Sequence, residues 1–384
     1  MDFAKRAFLK GGALIGAGLA ATGLGNKEAL AQYPAGVPRA TGRSMLDSPN
    51  YIGYASKGYG FRADWSRKLP QPSTVDPNYK PRRINKAIEL WEDGHTVSYA
   101  EFGASGAPDT YEEGKRMAKT FHDSITYEME NDSFDISLLR NFMQGLVDGG
   151  PTPSGHRTPM VFASIPAWGF DGPSMRANVW QIAQCLAAGV HGVLICEMES
   201  PEAAAIAIAG ARYKWTWPGV PPLPLEGCRG AGSQAFAAHI WGISTAEYNR
   251  VADVWPHNPK GEISMGFKLE NRRSVENCEE ILAVPGIAWV EAGPSDNRLS
   301  HLGWDAVRPD ITPQQAAALP ATRRYNEGME RVRLACKKYG VKWQGGGPAG
   351  ASRTQQIDEG RKMGGGDEAS LRIDREHTRR RMPV

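Results

Sequence analysis

Acidic residues recur in this chain at the ends of apolar runs: Glu101, Glu128 and Glu130, Glu197 and Glu199, Glu270, and Asp296. Taken singly, each reads as a solvated loop charge. Gathered at one place they would repel one another unless a cation sat among them. A hard divalent ion such as Mg2+ or Mn2+, held by one or two carboxylates plus waters, meets that demand. Glu270 and Asp296 stand in the most telling context. Glu270 closes the run Ile263-Ser264-Met265-Gly266-Phe267-Lys268-Leu269, and Asp296 follows Gly293-Pro294-Ser295, where Gly-Pro turns the chain sharply. These two are the metal-ligand candidates.

Bringing the carboxylates together requires elements that all end on one side. From residue 84 onward, short β-like runs alternate with helical periods. Strands are expected over 96–103, 125–130, 160–166, 192–198, 262–270, 287–293 and 341–344, with a short one near 228–231 as an eighth. Helices are expected between them, over 111–122, 136–146, 179–188, 202–211, 245–254, 273–282 and 323–339. Runs such as Gly192-Val193-Leu194-Ile195 are apolar throughout, as parallel strands covered on both faces must be. The pattern predicts an α/β fold, a (β/α)8 TIM barrel over 84–350 with an irregular N-terminal arm. A doubly wound open sheet is the runner-up, and the Gly-x-Gly-x-x-Gly turn that would support it is missing after the first strand. In a barrel of this kind the chemistry sits where strands end and loops begin, which is where the carboxylates lie.

A linked set of residues then carries a resemblance. Leu269-Glu270-Asn271, Val275-Glu276-Asn277, Ile281-Leu282-Ala283-Val284-Pro285-Gly286-Ile287, Gly293-Pro294-Ser295-Asp296 and Leu302-Gly303 together resemble the HpcH/HpaI aldolase/citrate lyase family. The likeness extends more loosely to 128–135, to the strand at 160–166, to 189–202, and to Ala211-Arg212-Tyr213 with Arg229-Gly230-Ala231-Gly232. It implies a βα barrel whose metal is held by the residues matching Glu270 and Asp296. It also implies a class II, pyruvate-type aldolase in which the metal chelates a 2-oxo acid and stabilises an enolate as a carbon–carbon bond breaks or forms. Arg229 with the loop residues Gly230 and Ala231 would orient the substrate, as would Ser295.

The chain departs from the family in three places. Asn131 follows Glu130 where the aldolases carry a histidine, Ser164 stands where they carry a third-strand arginine, and Lys268 replaces a usual glutamine. Asparagine cannot act as a general base and serine carries no positive charge. Three explanations stay open: another residue moves the proton, the chemistry differs from that of the pyruvate aldolases, or the barrel binds a metal-chelating ligand without turning it over. The candidates for such a residue are His239, just past the Arg229-Gly230 loop, Glu130 or Glu197 if burial raises its proton affinity, and His301. The segment 211–258 also holds Trp215, Trp217, Trp241 and Trp255, and Trp168 follows the third strand. At a barrel mouth such rings could stack on an aryl substrate, with Trp241 the substrate-binding candidate; the bland alternative is that they pack the long loop.

The remaining sequence bounds the setting. The chain has 384 residues, is 41% hydrophobic and 23% charged, and carries a formal charge of +3, which argues against a nucleic-acid footprint. Residues 1–31 combine Lys5, Arg6 and Lys10 with a weakly apolar Gly/Ala/Leu run and the tripeptide Ala29-Leu30-Ala31, which reads as a cleavable, twin-arginine-like signal peptide. It implies an exported, periplasmic protein; a cytoplasmic one is the alternative. Residues 32–83 form a Pro/Tyr-rich arm, and residues 351–384 a C-terminal helix and a basic tail ending in Arg379-Arg380-Arg381, read as solvated or interfacial. No later apolar run is long enough to span a membrane. The five cysteines, odd in number and scattered, read as small buried hydrophobes. The resemblance implies a homo-oligomer, commonly a hexamer. The leading function is a divalent-metal-dependent carbon–carbon lyase acting on a small-molecule substrate. The alternative is an exported barrel that binds a metal-chelating ligand without turning it over. A citrate-lyase-like reaction on CoA thioesters is disfavoured, since CoA is scarce outside the cytoplasm.

Overall fold

The computed structural model describes residues 74–102, 110–306, 310–346 and 350–384. The signal-like leader and nearly all of the Pro/Tyr arm lie outside these residues.

Eight parallel strands close into a barrel in sequence order: β1 (Val97–Phe102), β2 (Ser124–Glu128), β3 (Met160–Ile165), β4 (Gly192–Ile195), β5 (Ser264–Lys268), β6 (Ile287–Glu291), β7 (Lys342–Gln344) and β8 (Arg361–Gly364). β8 pairs with both β7 and β1, which closes the ring. Seven strands fall where the hydrophobic runs predict them. The eighth does not: 228–231 forms only an isolated bridge between Arg229 and Tyr213. The closing strand instead lies in the segment read as tail, so the barrel continues past residue 350. Arg361-Lys362-Met363-Gly364 is short and half charged, and only Met363 and Arg361 of it are buried.

Alternation sorts each strand's side chains into two populations. Ile125, Tyr127, Val161, Ala163, Val193, Ile195, Phe267 and Val290 face outward into a cluster shared with the surrounding helices. Met160, Phe162, Leu194, Trp289 and Met363 face inward and pack with the helix Lys86–Glu92. Trp289 fills the interior because β5 gives way to it. A Cβ at Gly266 would stand 2.3 Å from the indole.

The N-terminal end of the barrel is sealed by charge as well as by that helix. Asp123, directly before β2, meets Lys86 at 3.1 Å and Arg380 at 2.7 Å, and all three side chains are about 1% exposed. Arg375 donates to the Phe121 carbonyl beside them. The basic tail is therefore partly a structural plug. Arg380, Met382 and Val384 are buried, while Arg379 and Arg381 are exposed and Arg381 reaches Asp76. Conservation of charge balance explains why: a buried carboxylate of this kind needs paired, hydrogen-bonded cations. The five cysteines are all free, and four are buried.

Candidate functional site

The outward packing of Tyr127, Met129, Ala163, Ile165, Phe267, Leu269, Val290 and Ala292 under the helices turns their neighbours inward at the C-terminal end. Those neighbours are Glu128, Glu130, Ser164, Lys268, Glu270 and Glu291. Backbone pairing fixes their heights. Glu128 is in register with Ser164 and Lys268 with Glu291. The Met129 amide donates to the Ser164 carbonyl at 2.8 Å, and the Leu269 amide to the Glu291 carbonyl at 2.9 Å.

Glu270 lies at the centre of this arrangement and is 1% exposed. Its Oε1 accepts from the Glu197 amide at 2.9 Å, while its Oε2 is buried without a hydrogen-bond partner. Glu197 adopts φ +48°, an uncommon value for a residue with a side chain, and this conformation aims its N–H at Glu270. The Glu270 carboxyl also lies against Gly293, at φ +49°. Burial pushes the Glu270 carboxyl up to about 8, against the pull of Lys268 and with the help of Glu130. Burial likewise raises Glu128, Glu197 and Glu291.

Lys268 reaches across the mouth to pair with Glu130, whose Oε2 also accepts from Ser164 Oγ at 3.2 Å. Burial works against the lysine's charge, but Glu291, Glu270, Glu130 and Glu128 together hold it well above the ordinary lysine range. A second web is centred on Asn271. Its Nδ2 donates to Glu197 and, at 2.9 Å, to Glu199, while its Oδ1 caps the helix Arg272–Glu276. Asn297 clamps the ends of β5 and β6 through its Nδ2, 2.5 Å from the Leu269 carbonyl and 2.6 Å from that of Ala292. It thereby seats the helix Pro294–Leu302, whose first turn carries Ser295 and Asp296, both exposed. Glu101 lies in β1, in register with Thr126.

The expected site residues thus divide. Glu130, Glu270, Ser295 and Asp296 lie at the C-terminal end. His239, Arg229, Gly230, Ala231 and Trp241 do not join them, because the chain between the helix Pro201–Ala211 and β5 has already descended to the other end. His239 Nε2 contacts Gln144 at 2.9 Å, and its carbonyl accepts from Arg157, shortly before β3. Trp241 donates to the Gly189 carbonyl, shortly before β4, and stacks on His191. Arg229 is buried against Tyr213 and donates to Tyr248 at 2.9 Å. Trp217 and Trp255 are buried, and Trp215 stacks on Tyr213. Only Trp168 meets the expectation of an aromatic at the mouth. It is half exposed, stacks on Phe170 at 5.7 Å, and sits in a loop tied to the site by Gly169, which bonds Cys196 and Glu199. His301 Nδ1 donates to the Asn297 carbonyl at 2.8 Å. The residues that the sequence reading passed over are Glu291, Asn271 and Asn297; inward alternation along β6 would have found the first.

The donor set fits a hard divalent ion. Glu270 presents a buried, unpartnered oxygen, and carboxylates outnumber the ammonium in the mouth. Among the described residues no group of three or more His, Cys, Asp or Glu is arranged as a metal cage. One or two carboxylates completed by water is the usual coordination of Mg2+.

Comparison with known proteins agrees with the architecture. No protein-family model matches the chain. It is 30% identical over 194 residues to a hydroxypyruvate/pyruvate aldolase of Cupriavidus necator, covering 49% of the chain and 64% of that relative. It is 29% identical over 202 residues to a 4-hydroxy-2-oxo-heptane-1,7-dioate aldolase of Klebsiella pneumoniae, covering 51% and 65%. It is 32% identical over 132 residues to a 5-keto-4-deoxy-D-glucarate aldolase of Escherichia coli K12, covering 34% and 44%. The chain thus spans less than two thirds of the length of these relatives. In fold it resembles an HpcH/HpaI aldolase/citrate lyase family protein from Burkholderia cenocepacia, with a TM-score of 0.52 at 20% identity over 76% of the chain and 96% of that protein. In sequence the chain is thus similar to proteins named as aldolases, and in fold to an HpcH/HpaI aldolase/citrate lyase family protein.

Proposed function

We propose that this protein is a divalent-metal-assisted carbon–carbon lyase of the aldolase type that cleaves a 4-hydroxy-2-oxo acid. The observation that carries the reading is the buried Glu270 carboxylate, with one oxygen unpartnered, inside a mouth of inward-facing carboxylates. Glu270 and Asp296 would hold Mg2+ or Mn2+, which would supply Lewis acidity toward the oxygens of the 2-oxo acid.

The chain's own residues supply the rest. The Glu197 amide fixes Glu270 by donating to its Oε1. Glu130 moves the proton. Its Oε2 is anchored by Ser164 and Lys268, which leaves Oε1 outside those bonds to take the hydroxyl proton of the substrate. Ser295, in the first turn of the helix Pro294–Leu302, stands beside Asp296 to meet the substrate carboxylate. The notion of an aryl substrate now rests on Trp168 and Phe170 at the rim. We also propose that the chain is exported, on the strength of residues 1–31, and that it works as a homo-oligomer.

The test is pyruvate release from 4-hydroxy-2-oxo acids, aliphatic and aryl-substituted, with Mn2+ or Mg2+ and after EDTA. Metal-dependent release supports the reading. Absence of release with every metal, together with tight binding of a 2-oxo acid, would favour a ligand-binding barrel without turnover.

A further inference from the structure

The mouth confronts an anionic substrate with a ring of carboxylates, so an entering 2-oxo acid needs a positive group to meet it. Lys268 is the ammonium buried in that ring, with its side chain 11% exposed. It projects from β5 and contacts Glu130 past the end of β2, with β3 and β4 lying between those strands in the ring. The ammonium therefore extends across the opening instead of lying along its own wall. From β3 the inward group is the neutral Ser164, which donates to the same Glu130 oxygen. β3 thus contributes aim but no charge. An ammonium has three N–H donors, and Glu130 accounts for one of them.

We propose that Lys268 is a catalytic residue whose ammonium donates to the C2 oxygen of the bound 2-oxo acid and takes up the negative charge that develops there. This rests on the aldolase reading above. In the step, the C3–C4 bond breaks and its electron pair forms the C2–C3 double bond, pushing charge onto the C2 oxygen beside Lys268. The C4 hydroxyl gives its proton to Glu130, and C4 leaves as an aldehyde. Glu130 then returns that proton to C3, which gives the 2-oxo acid with nothing oxidised or reduced. Glu130 is also a positioning residue, because it pins the ammonium over the opening.

Oxalate, a planar dianion shaped like the enolate of pyruvate, is the probe. Its affinity is measured calorimetrically at saturating Mn2+ for the full chain and for K268M, K268R and E130Q, alongside Mn2+ affinity and thermal unfolding. K268M should weaken oxalate by about 10- to 100-fold, the loss of a charge-assisted hydrogen bond. Its Mn2+ affinity should hold or tighten, since a positive neighbour has gone. K268R should stay within about fivefold of the parent if the charge is what matters. E130Q should weaken oxalate less than K268M, because the ammonium remains. The proposal is overturned if K268M binds oxalate within twofold of the parent, or if K268R loses oxalate as fully as K268M while folding normally. A parent protein that fails to bind oxalate in the presence of Mn2+ would instead overturn the aldolase reading, and the role of Lys268 with it.

Discussion

Gly293 is a position where one added carbon presses directly on Glu270. Its backbone is left-handed, at φ +49° and ψ +62°, and a Cβ there would lie 2.3 Å from the Glu270 Cβ and 2.5 Å from its Oε2. Ordinary contact begins near 3.4 Å, so in G293A the root of the Glu270 side chain must retreat by about 1 Å, and a displacement of that size at a reacting centre can cost about 100-fold. The left-handed conformation itself costs alanine roughly 1–2 kcal/mol, which corresponds to a Tm lower by roughly 2–8 °C in a domain of this size. The assay is pyruvate release from a 4-hydroxy-2-oxo acid, coupled to lactate dehydrogenase at saturating Mn2+, with Tm measured in parallel. The control is G94A. Gly94 has φ +82° with nothing within 4 Å of its would-be Cβ, so it carries a similar backbone cost far from Glu270. G293A should lose about 100-fold in kcat, whereas G94A should lose stability alone. A kcat for G293A within threefold of the parent would refute the placement of Glu270 in the chemistry.

Four further outcomes are expected, three from the barrel and one from the leader. Replacing Asp123 by asparagine strands Lys86 and Arg380 in the barrel floor and should cost about 3–5 kcal/mol in denaturant unfolding. Burial opposes the Asp123 charge, but Arg380, Lys86 and Arg375 hold its carboxyl well below the usual 3.8, so its contribution is present above that pH and lost as pH falls below it. Glu89 has the same sign. Despite its burial, hydrogen bonds from His156 and Tyr79 draw it down to about 2, so its contribution fades between pH 4.5 and 2. Denaturant midpoints across pH 2–7 should show both losses, with the acid limb flattened in D123N and E89Q. H239A should leave kcat within about twofold, because His239 contacts Gln144 at the far end of the barrel; a 100-fold loss would restore it as the base. Export should leave a mature chain starting near Gln32, read by intact mass from the periplasmic fraction.

How far the sequence could be read depended on how strongly each element is marked. β4 is a continuous apolar run and β3 and β6 are nearly so, and they announce themselves. β8 is four residues with two charges, legible only once its partners β7 and β1 are known. The acidic mouth was visible as carboxylates at strand ends, and Glu130 and Glu270 do gather there. Lys268 was visible only as a departure from a family pattern. Its partner Glu130 is 138 residues away, a distance that no local period reports. The misplacement of His239, Arg229 and Trp241 has one cause. They follow a helix and precede a strand, and in a parallel barrel such segments lie at the N-terminal end, opposite the catalytic loops.

The most direct test of the central claim is Mn2+ bound per chain in the purified parent and in E270A, both confirmed folded. The account predicts one Mn2+ per chain in the parent and its loss in E270A. Equal metal content in the two, or none in the parent, would contradict it.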